Sequence, residues 1–270
     1  MPGEIVSEII ASLRDALPDA HKIVLEKVIF GLGYTAVKLN TAQTGICFTF
    51  QSEISSSCHG LTERAGSLAG CKALEIAELA RSWNLLESVL GVATLNALSS
   101  SIIGTEDSYS VSYGNVFNKI KFRKGDVVTF VGKIKPLIER VRKKVDKVYV
   151  LERDVNRRNA GILPDLAAEE VLPNSNVTII TGTAIANGTI DRLLQLSDRA
   201  REVVLVGASA SMIPGPLFKH GVTIVGAIRV RDADRLLQIV AEAGGTHELK
   251  TAVDFINLRP RIFANPSQGD

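Results

Sequence analysis

The sequence predicts an α/β protein with two domains, an α+β first domain over residues 1–110 and a Rossmann-like domain over residues 111–270. In the first part, strand patterns come before helix patterns, which is typical of α+β domains. In the second part, apolar strands alternate with helices, which is typical of a parallel sheet covered on both faces. The stretch GTEDSYSVSYGN, residues 104–115, is rich in serine, glycine and tyrosine, and we interpret it as the linker.

The first part begins with an amphipathic helix in SEIIASLRDAL, residues 7–17. Residues 21–40 and the segment TGICFTF, residues 44–50, have strand character, and Gly31 and Gly33 indicate a turn within the first of these segments. Two helices with apolar residues at helical spacing follow. They cover CKALEIAELARSW, residues 71–83, and NLLESVLGVATLNALSSSI, residues 84–102.

The second part contains five apolar strands, at residues 126–131, 147–151, 177–181, 203–207 and 222–226. Helices are predicted between and after them, near residues 136–144, 163–172, 189–197 and 233–245, with a short turn or helix after the fourth strand. We expect a Rossmann-like sheet in the order 2-1-3-4-5. The last eight residues, FANPSQGD, are expected to form a loose tail.

Composition and cysteine usage favour a globular, cytoplasmic protein. Of the 270 residues, 46% are apolar and 22% are charged, which are values of globular chains. The three cysteines have no CxxC spacing, which argues against a disulfide scaffold. Charged residues interrupt the first apolar run, and the longest uncharged stretch, residues 88–105, carries polar side chains. We therefore expect neither a signal peptide nor a membrane span.

Charge is distributed unevenly along the chain. Residues 1–115 contain 7 basic and 12 acidic side chains, whereas the remainder contains 24 basic and 17 acidic ones. This asymmetry indicates either a basic domain that binds polyanions or two domains that attract one another. Eleven basic residues lie between residues 119 and 147, but only Phe122 and Phe130 are aromatic there. We interpret this run as a face that is solvated or that contacts the acidic first domain. Because aromatic residues for base stacking are few, we expect no nucleic-acid partner.

A ligand site is expected beyond the carboxyl ends of the parallel strands, where the winding direction of the sheet reverses. In a dinucleotide-binding domain the GxGxxG fingerprint would follow the first strand. The sequence there is GKIKPL, so Gly132 is the one glycine of the fingerprint that is present. Glu152 ends the second strand, where such folds place a carboxylate that binds a ribose hydroxyl. The alternative is that Glu152 is an ordinary solvated loop residue without a ligand. Conventional NAD binding is disfavoured, and a nucleoside-like or methyl-donor ligand remains open.

Two hydroxyl-rich loops follow the third and fourth strands. The first is TGTAIANGT, residues 181–189, and the second is GASASMIPGP, residues 207–216. Their glycines let the backbone approach a ligand closely, and their hydroxyl and amide groups can donate or accept hydrogen bonds. The alternative interpretation of the first loop is a capped strand-to-helix turn that binds no ligand. We predict that both loops line one pocket, with these ligand-binding residues: Thr181, Gly182, Thr183, Asn187, Ser209 and Ser211.

Metal and nucleophilic chemistry have less support. The four histidines show no HxH, HExxH or Cys/His ligand spacing, and Cys58–His59 is a single adjacent pair. No GxSxG elbow is present. A carboxylate such as Glu152 or Asp165 could act as a general base if it were desolvated. The sequence therefore predicts no metal ligands and identifies neither a catalytic residue nor a cofactor.

Three motifs carry a resemblance to a known family. TGTAIANGTID at residues 181–191, GASASMIPGPLFKHG at residues 207–221 and GVATLNA at residues 91–97 look like motifs of the heavy-metal chelatase family. The resemblance implies an enolase amino-terminal-like first domain, a Rossmann-like second domain partly similar to methyltransferases, and a pocket between them. It also implies that Asn96 of the first domain faces the hydroxyl-rich loops. From the residues alone, Asn96 could equally make an interhelical hydrogen bond.

The resemblance implies handling of metal chelators or of flavin- and pterin-like molecules, by condensation or hydrolysis. We therefore expect a pocket that binds, and an activity that transforms, a small polar or heteroaromatic molecule, with a role in heavy-metal chelation. A non-catalytic binder of a metal or metal chelate is one alternative, and a methyltransferase-like binder of a nucleoside cofactor is another. The expected partner is this small molecule or chelate, and a homo-oligomer is compatible with the sequence.

Overall fold

The computed structural model describes residues 3–53 and 64–261, which form a two-part α/β protein. A small antiparallel sheet of three strands belongs to the first part, and a mixed, mostly parallel sheet of eight strands belongs to the second. The Cys58–His59 pair and the FANPSQGD tail lie outside the described residues. Within those residues, no helix is long and apolar enough to cross a membrane.

The first part is built on a three-stranded meander. Helix α1 spans Glu4–Ala16 and buries one apolar face, as its helical spacing predicts. The strands are β1 (Leu25–Phe30), β2 (Tyr34–Leu39) and β3 (Thr44–Phe48), in the order β1-β2-β3. All pairings are antiparallel. The predicted strands and the turn at Gly31–Gly33 are confirmed.

Two helices follow this small sheet in the chain, and the second of them packs against it. Helix α2 spans Ala73–Ala77 and continues as a 3₁₀ turn, and helix α3 spans Leu85–Ser99. The Asn84 side chain caps α3 by accepting hydrogen bonds from the backbone N–H groups of Leu86 and Glu87. Strand β3 lies very close to α3, because a Cβ atom added at Gly45 would come within 2.2 Å of the Ala97 nitrogen. Only glycine permits this approach.

The second part alternates strands and helices as predicted, except that the helix expected over residues 163–172 begins as a two-residue strand and a 3₁₀ turn. Its strands are β4 (Tyr109–Tyr113), β5 (Val127–Val131), β6 (Lys147–Glu152), β7 (Leu163–Pro164), β8 (Val177–Thr181), β9 (Glu202–Val206), β10 (Ile224–Val230) and β11 (Val253–Pro260). Its helices are α4 (Lys135–Val141), α5 (Ala168–Val171), α6 (Thr183–Ala186), α7 (Ile190–Leu196), α8 (Gly215–Lys219), α9 (Ala233–Ala241) and α10 (Thr246–Leu249).

The eight strands are arranged β4-β11-β10-β9-β8-β5-β6-β7. The five predicted strands are β5, β6, β8, β9 and β10, and their spatial order is the expected 2-1-3-4-5, with every pairing among them parallel. The winding direction therefore reverses between β5 and β8. Loops that follow these two strands meet at the carboxyl edge of the sheet.

Two predictions need correction at the other edge of this sheet. The sheet is not purely parallel, because β11 pairs antiparallel with β10, and β4 pairs antiparallel with β11. The supposed linker, residues 104–115, is not a simple connection, because it contains β4. The serine- and glycine-rich composition concealed the strand pattern, in which apolar residues recur at every second position, at Tyr109, Val111 and Tyr113. Tyr109 is fully buried.

The largest hydrophobic cluster of the described residues extends through both parts. It joins α1 and α3 of the first part to α6 and α7 of the second, with Ile5, Val89, Ile185 and Leu193 among its members. The α3 side chains are buried almost all round, because the small sheet packs on one side and the second part on the other. The domain limits and the likeness of the first part to the enolase amino-terminal domain stay predictions.

The basic run between residues 119 and 147 forms a solvent-facing surface. Ten of its eleven lysine and arginine side chains are exposed. Within the described part of the chain, none of the eleven forms an ion pair. Ion pairs that join the two parts come from elsewhere, for example Arg153 with Glu53 and Lys219 with Glu8. The interpretation of this run as a solvated face is therefore the one that agrees with the structure.

Candidate functional site

A cleft of about 670 Å³ lies between the small sheet and the carboxyl edge of the large one. Its size is that of a pocket for a small organic ligand. One side is formed by the loops that follow β5, β6, β8 and β9, and the other by Phe48 and residues 50–53 at the end of β3 together with Tyr34. Seven of the nine sequence-predicted site residues line it: Gly132, Glu152, Thr181, Gly182, Thr183, Asn187 and Ser209.

Two glycines let the loops at the cleft floor pack closely. Gly132 has a φ of +97°, and a Cβ atom there would come within 2.8 Å of the Thr181 Cγ2 atom. A Cβ atom at Gly182 would come within 2.7 Å of the Ala210 nitrogen. The loops after β5, β8 and β9 therefore meet at the point where the sheet reverses its winding direction.

The two threonine hydroxyls in the first loop are directly bonded to each other. Thr183 Oγ1 donates a hydrogen bond of 3.0 Å to Thr181 Oγ1. Among the described residues, the Thr181 hydroxyl proton has no acceptor. Thr181 can therefore donate this proton to a ligand in the cleft.

Asn187 leaves its amide nitrogen free. Its Oδ1 atom accepts hydrogen bonds from the backbone nitrogen of Thr189 at 3.2 Å and from Thr189 Oγ1 at 2.7 Å. This local bonding fixes the turn that leads into α7. Within the described part of the chain, the Nδ2 group has no partner. It supplies two further donors to the cleft.

Glu152 connects the loops after β5 and β6. Its side chain is buried, and its two oxygens accept hydrogen bonds of 3.1 Å from the backbone nitrogens of Lys133 and Asp154. Arg157 Nη1 lies 3.5 Å from one of these oxygens. The Lys133 Nζ group in turn donates to the Arg157 carbonyl oxygen at 2.9 Å. The carboxylate is thus engaged by the protein itself, which leaves few lone pairs for a ribose hydroxyl.

An aromatic wall, Tyr34, Phe48 and Phe50, forms the opposite side of the cleft. The rings of Tyr34 and Phe48 lie 6.0 Å apart, and those of Phe48 and Phe50 lie 5.6 Å apart, both edge to face. The Tyr34 hydroxyl is 2.8 Å from Thr246 Oγ1, and burial raises the pKa of Tyr34. Sequence reasoning missed this wall, although the Tyr34–Phe48 strand pairing and the two-residue spacing to Phe50 were a usable signal.

Asn96 and Ser211 lie behind the cleft and do not line it. Asn96 Nδ2 donates hydrogen bonds to the carbonyl oxygens of Ile46, Ser209 and Ala208, at 2.8, 3.2 and 3.3 Å. Ser211 Oγ donates to the Ala208 carbonyl and accepts from the Ile228 nitrogen. Both side chains are buried and hold the loop after β9 in place.

Ser209 borders the cleft but is also used structurally. Its Oγ atom accepts a hydrogen bond of 3.0 Å from the backbone nitrogen of Phe48, which ties β3 to the loop after β9. The neighbouring Cys47 thiol is fully buried, and burial raises its pKa to about 12. The Cys47 thiol therefore stays protonated at neutral pH and is a poor metal ligand.

Charged side chains surround the mouth of the cleft, and most are paired. Arg153 Nη2 lies 2.7 Å from Glu53 Oε2, and Arg192 forms a two-point ion pair with Glu169. In contrast, Asp165 lines the cleft half-buried, and its carboxylate has no hydrogen bond or ion pair within the described residues. Asp165 is therefore the carboxylate with free acceptor capacity at this site.

The fold and cleft together define the class of protein, a two-part α/β protein with a small antiparallel sheet, a mostly parallel eight-stranded sheet and a cleft at the strand ends. The chain belongs to the DUF364 family, which is described as "Putative heavy-metal chelation" and whose model matches residues 115–259. A second model with the same description, DUF4213, matches residues 13–99. The resemblance found in the sequence motifs is therefore confirmed.

The chain is also similar in sequence or in fold to other proteins. An uncharacterised protein of Methanocaldococcus jannaschii is 30% identical over 181 residues, which cover 66% of this chain and 68% of the relative. A DUF364 protein of unknown function from Pyrococcus horikoshii has a TM-score of 0.80 at 23% identity, covering 94% of this chain and 98% of its own. Another, from Desulfitobacterium hafniense, has a TM-score of 0.76 at 24% identity, covering 93% and 97%. These two structures are similar in fold.

Proposed function

We propose that the cleft binds a small, planar, polar heteroaromatic molecule of the pterin-, flavin- or chelator-like class, and that the protein transforms it. The observation that carries the proposal is the pairing of two unlike surfaces across one cleft. The aromatic wall lies on one side, and the free donors of Thr181 and Asn187 lie on the other. Planar ligands with polar edges need such a combination of ring contacts and directed hydrogen bonds.

Asp165 gives the cleft a group for proton transfer. Its unpaired carboxylate can accept a proton from a bound molecule or from an attacking water during condensation or hydrolysis. Glu152 fits this role less well, because its oxygens already accept two backbone hydrogen bonds. We therefore assign the general-base role to Asp165 and a positioning role to Glu152.

The binding part of this proposal is tested by calorimetric titration with pterin and with riboflavin. We expect Thr181→Val and Asn187→Ala each to weaken binding about tenfold or more, a loss of about 1.4 kcal/mol, because each removes a free hydrogen-bond donor from the cleft. The melting temperature of Thr181→Val should stay close to that of the wild type, and that of Asn187→Ala should fall slightly, because Thr189 loses the Oδ1 acceptor. Thr105→Val is a matched control, because Thr105 is exposed and bonds only to the Ile102 carbonyl.

Two results would count against this site. One is unchanged affinity in both cleft variants. The other is strong destabilisation of the variants without any loss of affinity, which would assign these side chains to folding. If neither pterin nor riboflavin binds the wild-type protein, these two ligand classes are excluded.

A second candidate is a non-catalytic binder of a metal chelate, which the family description and the free carboxylate of Asp165 favour. In that case Asp165 would complete the coordination of the chelated metal. Titration with Zn²⁺–nitrilotriacetate distinguishes the candidates. A chelate site predicts that Asp165→Asn abolishes binding and that Phe50→Ala has little effect, whereas a heteroaromatic site predicts that Phe50→Ala weakens pterin or riboflavin binding.

A further inference from the structure

We propose that Glu4, Glu8 and His220 form a binding site for a divalent first-row transition-metal ion such as Zn²⁺, outside the cleft. Among the described residues, these three form the one group of three or more histidine, cysteine or acidic side chains whose ligand atoms lie close enough together for a metal. The family description names heavy-metal chelation but assigns no residues. This proposal is independent of the cleft and its ligand.

Secondary structure brings the three donors together. Glu4 and Glu8 are four residues apart on α1, so they share one face of the helix. His220 directly follows the last residue of α8, which packs against α1. The sequence spacing could not reveal this group, because His220 is more than 200 residues away from the two glutamates.

The distance between the Glu8 and His220 ligand atoms is that of a metal site. One ligand atom from each residue lies within 4.8 Å of the other two, and Glu8 Oε1 is 3.3 Å from His220 Nε2. Two ligands at the usual 2.0–2.1 Å from a tetrahedral zinc ion lie about 3.3–3.4 Å apart. Small side-chain rotations would bring the exposed Glu4 carboxylate to the same distance.

His220 provides an independent indication. Its Nε2 atom is buried from solvent and meets the geometry of a hydrogen bond with no group in the described part of the chain, although Glu8 Oε1 lies 3.3 Å away. Buried polar atoms without a partner are rare in folded proteins. A metal ion held jointly by this nitrogen and the two carboxylates would satisfy it.

The surroundings leave room for an ion. A separate cavity of about 310 Å³ is lined by two of the three ligands, Glu4 and His220, so water molecules could complete the coordination. Asp191, Ser197 and Asp198 also line it. Lys219 would compete with a metal ion for the Glu8 carboxylate, because its Nζ lies 2.8 Å from Glu8 Oε1. Its side chain is 68% exposed and can move into solvent when a cation binds. A bound ion would join the first helix of the chain to α8.

Metal titration of the EDTA-stripped full chain tests this site. We expect one equivalent of Zn²⁺ to bind by calorimetry and to raise the melting temperature, and we expect Co²⁺ to give the visible absorption bands of a protein-bound ion. Glu8→Gln and His220→Asn should each weaken binding at least tenfold. Lys219→Met should strengthen it severalfold, because the competing ammonium group is removed.

Matched control variants distinguish this site from metal binding elsewhere on the chain. Glu75→Gln and His247→Asn change exposed residues of the same types elsewhere and should leave the affinity unchanged. Circular dichroism in EDTA shows whether each variant is folded, and Lys219→Met tests the site without removing a ligand. The proposal is overturned if Zn²⁺ does not bind, if His220→Asn binds it as tightly as the wild type, or if only Cys58→Ala abolishes binding.

Discussion

At the scale of single residues, the polar groups of the cleft divide into those that hold the protein together and those that remain available. Asn96, Ser209 and Ser211 bond to backbone groups of neighbouring segments, whereas Asn187 and Thr181 keep free donors. The sequence motifs contain both structural and available polar residues, and residue type alone does not distinguish the two. Residue type therefore predicted which loops matter, but the partners that decide each role come from distant strands.

Asn96→Ala tests the structural role of this residue. The substitution removes a buried amide that donates to three carbonyl oxygens, so we expect the free energy of unfolding to fall by about 2–3 kcal/mol. Chemical denaturation measures this change. The affinity for a cleft ligand should change less than threefold. A large loss of affinity at unchanged stability would instead support the sequence-based expectation that Asn96 contacts the ligand.

Glu152→Ala tests the connection between the loops after β5 and β6. It leaves the backbone N–H groups of Lys133 and Asp154 without their acceptor, so we expect a loss of about 2 kcal/mol in unfolding free energy. Glu152→Gln, which keeps one acceptor oxygen, should lose less. Urea unfolding of the wild type and of both variants measures these changes. Equal stability of Glu152→Ala and the wild type would contradict the proposed connection between the two loops.

The Cys47 thiol predicts a specific pH dependence. Below pH 9 it is protonated in both folded and unfolded chains, and between pH 9 and about 12 only the unfolded chain loses the proton. Stability therefore falls as the pH rises through this window. The free-energy difference between wild type and Cys47→Ala should shrink by about 1 kcal/mol from pH 8 to pH 10. A constant difference would show that the thiol ionises equally in both states.

At the scale of secondary-structure elements, α1 depends on a residue from the other part of the chain. Its first residues have no side-chain cap of their own, but Asp191 at the start of α7 accepts hydrogen bonds from the backbone nitrogens of Gly3 and Ile5, at 3.3 and 3.0 Å. A carboxylate at this position also interacts favourably with the helix dipole. The final aspartate of the TGTAIANGTID motif thus has a structural role.

Asp191→Ala tests this cap. We expect a loss of about 1 kcal/mol in unfolding free energy and faster amide hydrogen exchange in the first turns of α1, because the helix loses its acceptor. Asp198→Ala, a change at an exposed residue nearby in the sequence, is the control. Unchanged exchange in α1 would show that water replaces the carboxylate without loss.

Most elements could be predicted from the sequence, because their apolar periodicity is strong. The five parallel strands, α1, α3 and α9 follow from it directly. Strands β4 and β11 were not predicted. Serines obscure the alternation in YSVSY, and β4 pairs with β11, which lies near the carboxyl end of the chain. The aromatic wall was missed for a related reason, since its function depends on a cleft formed with loops more than 80 residues away.

At the scale of the whole molecule, the two parts share one core and β4 belongs to the second sheet. We therefore expect a single cooperative unfolding transition, with equal calorimetric and van't Hoff enthalpies. Differential scanning calorimetry measures both. Two separate transitions would show that the parts fold as independent domains, as the sequence-predicted boundary between residues 110 and 111 implies.

The proposed function depends above all on a planar ligand lying between the aromatic wall and the loops that contain Thr181 and Asn187. A crystal structure of the protein saturated with pterin or riboflavin, whichever binds by calorimetry, shows directly whether it does. We expect the ring against Phe48 or Phe50, with its polar edge within hydrogen-bonding distance of Thr181 Oγ1 or Asn187 Nδ2. A ligand bound elsewhere on the protein, with this cleft filled only by water, would contradict the proposed function.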